Sequence, residues 1–254
     1  VKGCALVTGG AVRIGAVIAQ RLAREGYAVG VHAHRSIAQA EALAGELRAE
    51  GFAAAALSAD LGDRAAVGGL VAACAAVLGP VRLLVNNAAS FRYDDAAGFD
   101  GADLDFHLRP NLEAPLLLAR DVARALGEDE GAVVNMLDHK VAALNPDFFT
   151  YTVAKVALEG ATRMMAMAFG GRVRVNGVAP GITLISGKQT PQGFARAWRA
   201  PPLGRSATPD EVADAVLFVA EARGLNGQVL VLDGGESLIA RRRDIAFDTA
   251  GGDS

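Results

Sequence analysis

Short apolar runs alternate with longer amphipathic stretches along most of the chain. The runs at residues 4–8, 27–32, 52–58, 81–85, 131–137, 172–178 and 229–232 are mostly apolar and too short for helices. Such runs read as strands buried on both faces of a parallel sheet. Helical periodicity fills the gaps at residues 13–25, 37–50, 63–78, 103–125 and 150–169, and again from Thr208. Gly26, Gly51 and Gly79-Pro80 stop three of these helices, and Asp63 and Thr208 sit where capping residues belong. Pro110 and Pro115 fall inside one helical pattern and imply a kink. Residues 182–207 show no clear period, hold Trp198 and three prolines, and read as a mobile lid. Residues 239–254, with Arg241-Arg242-Arg243, read as a solvated tail.

Strand-helix alternation of this kind predicts an α/β fold. The expected architecture is a single Rossmann-type doubly wound domain over residues 1–254. Its sheet would have seven parallel strands with helices on both faces. No linker, composition break or internal repeat divides the chain.

Composition narrows the function. About half of the 254 residues are hydrophobic, enough for a sizeable core. The formal net charge of −3 gives no reason to expect nucleic acid or an anionic membrane as partner. Cys4 and Cys74 form neither a C-x-x-C nor a Cys/His ligand pattern, so buried thiols are expected and no metal. There is no signal-peptide pattern, and cytoplasm is the expected compartment. Walker-type phosphate loops, G-x-S-x-G and H-E-x-x-H are absent.

Candidate chemistry clusters at the ends of the predicted strands. Gly9 and Gly15 lie in a strand-turn-helix context, where Gly9 permits a tight turn and Gly15 a close helix approach. Free amides at that helix start could hold a pyrophosphate, although an ordinary β-α turn would look the same. After the second strand come Ala33, His34, Arg35 and Ser36, with no carboxylate for ribose hydroxyls. An arginine and a hydroxyl suit a 2′-phosphate, which points to NADPH, while Ser36 could equally cap the next helix. Asp60 and Leu61 follow the third strand, where an adenine would lie. Asn86 and Asn87 follow the fourth, placed to bond backbone and cofactor ribose, and Ala88 comes next. Phe91 either stacks on a flat ring or packs its own loop. Asn111 or a water could use carbonyls freed by the kink. Lys155 lies one helical turn after Tyr151, which predicts an ammonium that lowers the phenol's pKa.

Together T-G-G-A-V-R-I-G, N-N-A-A, Asn111, Y-T-V-A-K, Pro180-Gly181 and the late D-G-G resemble the short-chain dehydrogenase/reductase family. The resemblance runs from Cys4 to about Leu238. It implies hydride transfer with NAD(P), an Asn-Ser-Tyr-Lys proton system, and a homotetramer packed partly through the Asn111 and Tyr151 helices. It also implies cofactor contacts at Gly9, Arg13, Ile14, Gly15, Asn87, Ala88, Tyr151, Lys155, Pro180 and Gly181. A Met-rich face around Gly160, Met164 and Met167 suits either an interface or a core.

Two departures narrow the branch. Arg13 stands where the fingerprint has glycine, and Asp138 where the catalytic serine is usual. With H-A-H-R-S and Phe91, these resemble the pteridine reductases, which include reductases of dihydrobiopterin, dihydromonapterin and folates. There Asp138, Tyr151 and Lys155 would form the catalytic set with Asn111. Arg13 would touch cofactor phosphate and substrate, and Phe91 would stack the pterin against nicotinamide. Ala89 and Phe148 each lack a hydroxyl that some of these enzymes carry. The chemistry agrees: a carboxylate is a poor partner for a ketone oxygen, but it can accept from ring N–H groups or relay a proton to a ring nitrogen. The expected function is therefore NADPH-dependent reduction of a pterin or related cyclic C=N compound. A carbonyl or 3-oxoacyl reductase and a non-catalytic NADPH-binding sensor are the alternatives. His139 and Lys140 have no role at this level.

Overall fold

A single sheet of seven parallel strands runs in the order β3-β2-β1-β4-β5-β6-β7 in this computed structural model, which describes residues 2–185 and 189–248. The strands are β1 (Cys4–Val7), β2 (Ala28–Ala33), β3 (Ala54–Ser58), β4 (Val81–Asn86), β5 (Gly131–Met136), β6 (Val173–Pro180) and β7 (Val229–Leu232). β1 and β2 are buried along their whole length, as their unbroken apolar character requires. The doubly wound architecture read from the sequence is the one observed.

Three helices cover one face: α1 (Arg13–Arg24), α2 (Ile37–Ala49) and α8 (Pro209–Glu221). Ile18, Leu22, Leu43 and Val216 join the inward side chains of β1 and β2 there. The other face carries α3 (Arg64–Leu78), α5 (Ala114–Leu126) and α6 (Phe149–Ala168). Leu70, Val71, Leu118 and Val122 fill that layer. The predicted caps form. Asp63 accepts from the Ala65 amide at 2.9 Å, and Thr208 and Glu211 make a reciprocal capping box with Pro209 at the first position.

The chain crosses from β3 back to β4, which lies beside β1. The connections after β1 and β4 therefore diverge and leave a crevice beyond their carboxyl ends. Open α/β sheets bind their ligands in this position.

Several local expectations need correction. The kinked helix is α4 (Gly101–Leu108) joined to α5 by a π-helical turn at Arg109–Glu113. The turn's widening accommodates Pro110, yet Asn111 does not bond to its freed carbonyls; its amide faces another loop. The stretch without clear periodicity, read as a mobile lid, contains a helix that the pattern did not predict, α7 (Pro191–Arg199), capped by Thr190. Gly193 and Ala197 are buried, with Phe194 and Trp198 half-buried beside them, an apolar stripe only two turns long. Part of that expected lid, residues 186–188, lies outside the described residues. Residues 249–254 of the expected tail lie outside the described residues, and the described part is not simply solvated. Arg243 clasps Asp147, Arg241 pairs with Glu236, and a short helix α9 (Ile245–Asp248) packs against α7. The Met-rich face of α6 is not core: Met164 and Met167 are 67% and 75% exposed in the single chain. Among the described residues no helix is long and apolar enough to cross a membrane.

Candidate active site

The crevice begins with the turn after β1. Gly9 has φ +60°, and a Cβ there would meet the Ala88 backbone at 3.0 Å. At Gly15 a Cβ would fall 2.1 Å from the Gly9 carbonyl oxygen and 2.6 Å from Asn87 Nδ2. Both positions therefore require glycine. Asn87 ties the turn down by donating to the carbonyls of Thr8 and Gly9 at 2.9 and 3.1 Å. Thr8 Oγ1 accepts from the Asn87 and Ala88 amides. His32 was missed by sequence reasoning. Its Nδ1 accepts from the Gly9 amide at 3.1 Å, so Nε2 carries the proton and donates to the Ala59 carbonyl at 3.1 Å. Burial pushes His32 below its ordinary pKa, which keeps it neutral in that role. A polar residue in an otherwise apolar buried run was the available signal.

Arg13 sits at φ +56°, in the left-handed region. The usual fingerprint glycine suits this conformation, and the arginine retains it at a steric cost. Its guanidinium donates across the crevice to the Ile185 carbonyl at 2.8 Å.

The chemical end of the site lies past β5 and at the start of α6. Tyr151 Oη donates to Asp138 Oδ2 at 3.0 Å. Asp138 Oδ1 accepts from the Lys140 amide at 3.0 Å and lies 3.2 Å from His139 Nδ1. Burial works to raise the Asp138 pKa, but the His139 hydrogen bond and charge, with the Lys140 amide, hold it well below the usual carboxylate range. His139 is correspondingly raised, because the Asp138 anion outweighs burial. Tyr151 moves opposite to expectation. Burial, then the Asp138 charge and hydrogen bond, push its pKa well above the ordinary phenol value. Lys155 does not reverse this. Its ammonium is buried, donates to the Met136 carbonyl at 2.7 Å, and lies 5.7 Å from the Tyr151 ring centroid. Burial lowers Lys155 to about 8, with Asp138 acting in the other direction. With aspartate in place of serine, the proton rests on Tyr151 and the negative charge on Asp138.

Aromatic residues form the facing wall. Phe91 stacks on Phe148 at 4.5 Å and meets Tyr151 edge-on at 4.8 Å. Phe148 also has a left-handed backbone, φ +54°. The Phe91 loop is anchored by His107, whose Nε2 accepts from the Arg92 amide at 3.2 Å while Nδ1 donates to Thr150 Oγ1 at 2.6 Å. The Thr150 hydroxyl in turn donates to Asp94.

Gly9, Arg13, Ile14, Gly15, Asn87, Ala88, Phe91, Asp138, Tyr151 and Gly181 line one cavity of about 460 Å³. The remaining candidates lie outside it. Asn111 is fully buried, with its amide bonded to both backbone groups of Ser90 at 2.7 and 2.8 Å. Lys155 sits behind Tyr151, and Pro180 is buried at the end of β6. His34, Arg35, Ser36, Asp60 and Leu61 lie beyond β2 and β3, with His34 Nδ1 3.6 Å from Asp60 Oδ1. Ser36 occupies the cap position of α2, yet its side chain makes no cap bond. His139, Lys140 and Asp244 line the cavity although no role was read for them.

The family model described as enoyl-(acyl carrier protein) reductase matches residues 10–237. The chain belongs to the short-chain dehydrogenase/reductase family. Relatives of this family include the D-threitol dehydrogenase of Mycolicibacterium smegmatis, 34% identical with 92% of each chain covered. Pteridine reductase 1 of Leishmania tarentolae is also 34% identical, covering 92% of this chain and 96% of its own. The NADP complex of FolM alternative dihydrofolate reductase 1 from Brucella canis is 42% identical, with a TM-score of 0.91 over 95% of this chain and 97% of that one. The resemblance to the pteridine reductase branch, drawn from Arg13 and Asp138, is supported by the last two.

Proposed function

We propose that this short-chain reductase uses NADPH to reduce a pterin, or a related cyclic C=N compound of dihydropterin or dihydrofolate type. The observation that carries this reading is the Asp138–Tyr151 pair. It places a carboxylate acceptor and the one phenol O–H that donates to it on the wall of the same cavity, where a substrate nitrogen can take over that O–H. A ring with adjacent N–H and C=N groups matches that pairing, whereas a ketone oxygen meets an anion.

The residues fit the cofactor. Gly9, Gly15 and Gly181 line the cavity and pack too closely on neighbouring protein atoms to carry a side chain, so the turns close tightly, as a pyrophosphate-binding turn requires. Among the described residues the exposed Arg35 guanidinium and the Ser36 hydroxyl have no side-chain partner, and together they suit a 2′-phosphate. Asp60 and Leu61 would border the adenine, Asn87 and Lys155 the ribose next to nicotinamide. When bound, NADPH supplies the hydride. Tyr151 holds the proton for the substrate nitrogen, Asp138 accepts from a neighbouring ring N–H, and Phe91 covers the ring face. Asn111 acts indirectly, by fixing Ser90 and the loop that carries Phe91.

Cofactor choice gives one prediction. Arg35→Ala should weaken NADPH binding about ten- to a hundredfold, the value of a charge-assisted contact of roughly 1.5–3 kcal/mol. NADH binding should barely move. Parallel titrations by nicotinamide fluorescence measure both; a variant that still prefers NADPH would remove Arg35 from the reading.

Lys155 gives a second. Its folded pKa of about 8 lies below the ordinary lysine value, so its charge is present below that pH and lost as pH rises through it. NADPH affinity should therefore be steady below pH 8 and fall above it, approaching roughly tenfold per pH unit. Lys155→Met should bind weakly with a flat profile. An unchanged wild-type affinity from pH 7 to pH 9.5 would contradict it.

NADPH oxidation measured in parallel on dihydrobiopterin, dihydrofolate and a 3-oxoacyl thioester tests the substrate class. The thioester represents the alternative of carbonyl or 3-oxoacyl reduction. Turnover of the thioester alone would sink the pterin reading.

A further inference from the structure

The segment after Ala240 is far from the catalytic helix in sequence, and it lies beyond the residues matched by the family model. In the fold it returns to the cavity. Asp244 is one of the cavity's lining residues, and only 8% of it is exposed. Its backbone amide donates to Asp147 Oδ2 at 2.7 Å. Arg243 grips the same carboxylate, with Nε 2.9 and 2.8 Å from its two oxygens. Asp147 is itself 3% exposed while the Arg243 side chain is half exposed, so this is a charge-assisted clasp reaching in from the surface to a buried carboxylate.

From the clasp two arms lead to the residues that bracket Asp138 and Tyr151. The first runs through Lys140. Its ammonium lies 2.6 Å from Asp244 Oδ2, and donates to Asn145 Oδ1 at 3.0 Å and the Asp147 carbonyl at 3.1 Å. An ammonium has three N–H bonds, and these three acceptors use them all. Lys140 therefore has no donor left for a substrate. It fixes its own backbone, whose amide donates to Asp138 Oδ1 at 3.0 Å. The second arm is aromatic. Phe247 packs on Phe148 at 6.0 Å and on Tyr93 at 5.3 Å, and Phe148 stacks on Phe91. Phe148, like Arg13, is held at a positive φ, a conformation that persists only where its surroundings enforce it.

We propose that residues 241–247 are a positioning element of the substrate site. The clasp on Asp147 holds the Lys140–Asp138 arm and the Phe148–Phe91 arm in register, one for the polar edge of the substrate and one for its flat face. This inference rests on reading the cavity as the substrate site. The adenine end, at Arg35 and Ser36, makes none of these contacts, so the element acts on substrate and not on cofactor affinity.

The test uses the full chain with Arg243→Met, Arg243→Lys and Phe247→Ala, and a variant ending at Ala240. Three quantities are read: KM and kcat for whichever dihydropterin the wild type reduces, the NADPH dissociation constant, and amide hydrogen exchange. Arg243→Met and the shortened chain should raise KM at least about tenfold, with the NADPH constant within about twofold of wild type. Arg243→Lys, which keeps the charge, should recover most of the loss. Phe247→Ala should raise KM through the aromatic arm alone. Amide exchange should accelerate in residues 139–148 and stay unchanged in β5. A KM within about twofold of wild type in the shortened chain would overturn the proposal, as would a parallel loss of NADPH affinity. Exchange needs no substrate. It decides the role of this segment even if the wild type reduces no dihydropterin, the separate outcome that would sink the pterin reading.

Discussion

Replacing Tyr151 with phenylalanine is expected to cut turnover by about 10²–10⁴-fold and to leave NADPH binding nearly intact. The ring would stay where it is. It meets Phe91 edge-on at 4.8 Å and lies 5.7 Å from the Lys155 ammonium, and neither contact needs the hydroxyl. Only the O–H donated to Asp138 is lost. Burial and the Asp138 anion both keep that proton on the phenol, so it is there to be delivered. Asp138 cannot replace it, since His139 and the Lys140 amide keep the carboxyl ionised. Lys155→Ala should differ by damaging both cofactor binding and turnover. Steady-state kinetics and an NADPH titration on the two variants separate the roles. Full activity in Tyr151→Phe would take the tyrosine out of the mechanism.

The sequence revealed the frame of this site better than its electrostatics, and the reason is locality. Strands buried on both faces announce themselves as apolar runs, and glycines at Gly9 and Gly15 mark turns within a few residues of the strand they follow. The positions of Asp138, Tyr151 and Lys155 were legible for the same reason: all three sit within one strand, one loop and one helix. What stayed hidden depends on residues brought together by folding. His32 supports the Gly9 turn from another strand. Arg243 reaches Asp147 across 96 residues of sequence. The direction of the Tyr151 shift was misread because helical spacing places Lys155 beside the ring but says nothing of the carbonyl that takes up its ammonium. Spacing also could not show that the Asp138 oxygen would lie nearer the phenol than any cation. Arg13 was read as a departure from the fingerprint. The backbone shows that the left-handed conformation required there has been kept and that a guanidinium has been added to the cavity wall.

Asp138→Ser is the substitution expected to change what the enzyme can reduce. Serine removes the anion that Tyr151 donates to, so the phenol should fall back from its raised pKa towards the range an adjacent ammonium can tune. Lys155 would lose the one charge that favours its protonated form, and its pKa should drop further below about 8. His139 would lose the partner that keeps it raised. Serine also offers an O–H donor, which suits a substrate carbonyl oxygen, where Asp138 offers only acceptors. Activity on dihydropterins should therefore fall by about 10²–10³-fold, comparable to removing one preorganised electrostatic contact, while weak activity on a simple ketone or 3-oxoacyl thioester becomes attainable. Asp138→Asn separates charge from shape. Its amide oxygen can keep the Lys140 bond, which turns its nitrogen donor towards the Tyr151 oxygen; the anionic acceptor for a ring N–H is then lost, so this variant too should fail on dihydropterins and should gain nothing on ketones. The measurement is NADPH oxidation by wild type and both variants on dihydrobiopterin, dihydrofolate and the thioester. If the wild type reduces only the thioester and Asp138→Ser improves it, the carboxylate hinders the reaction, and carbonyl reduction is the better account of this site.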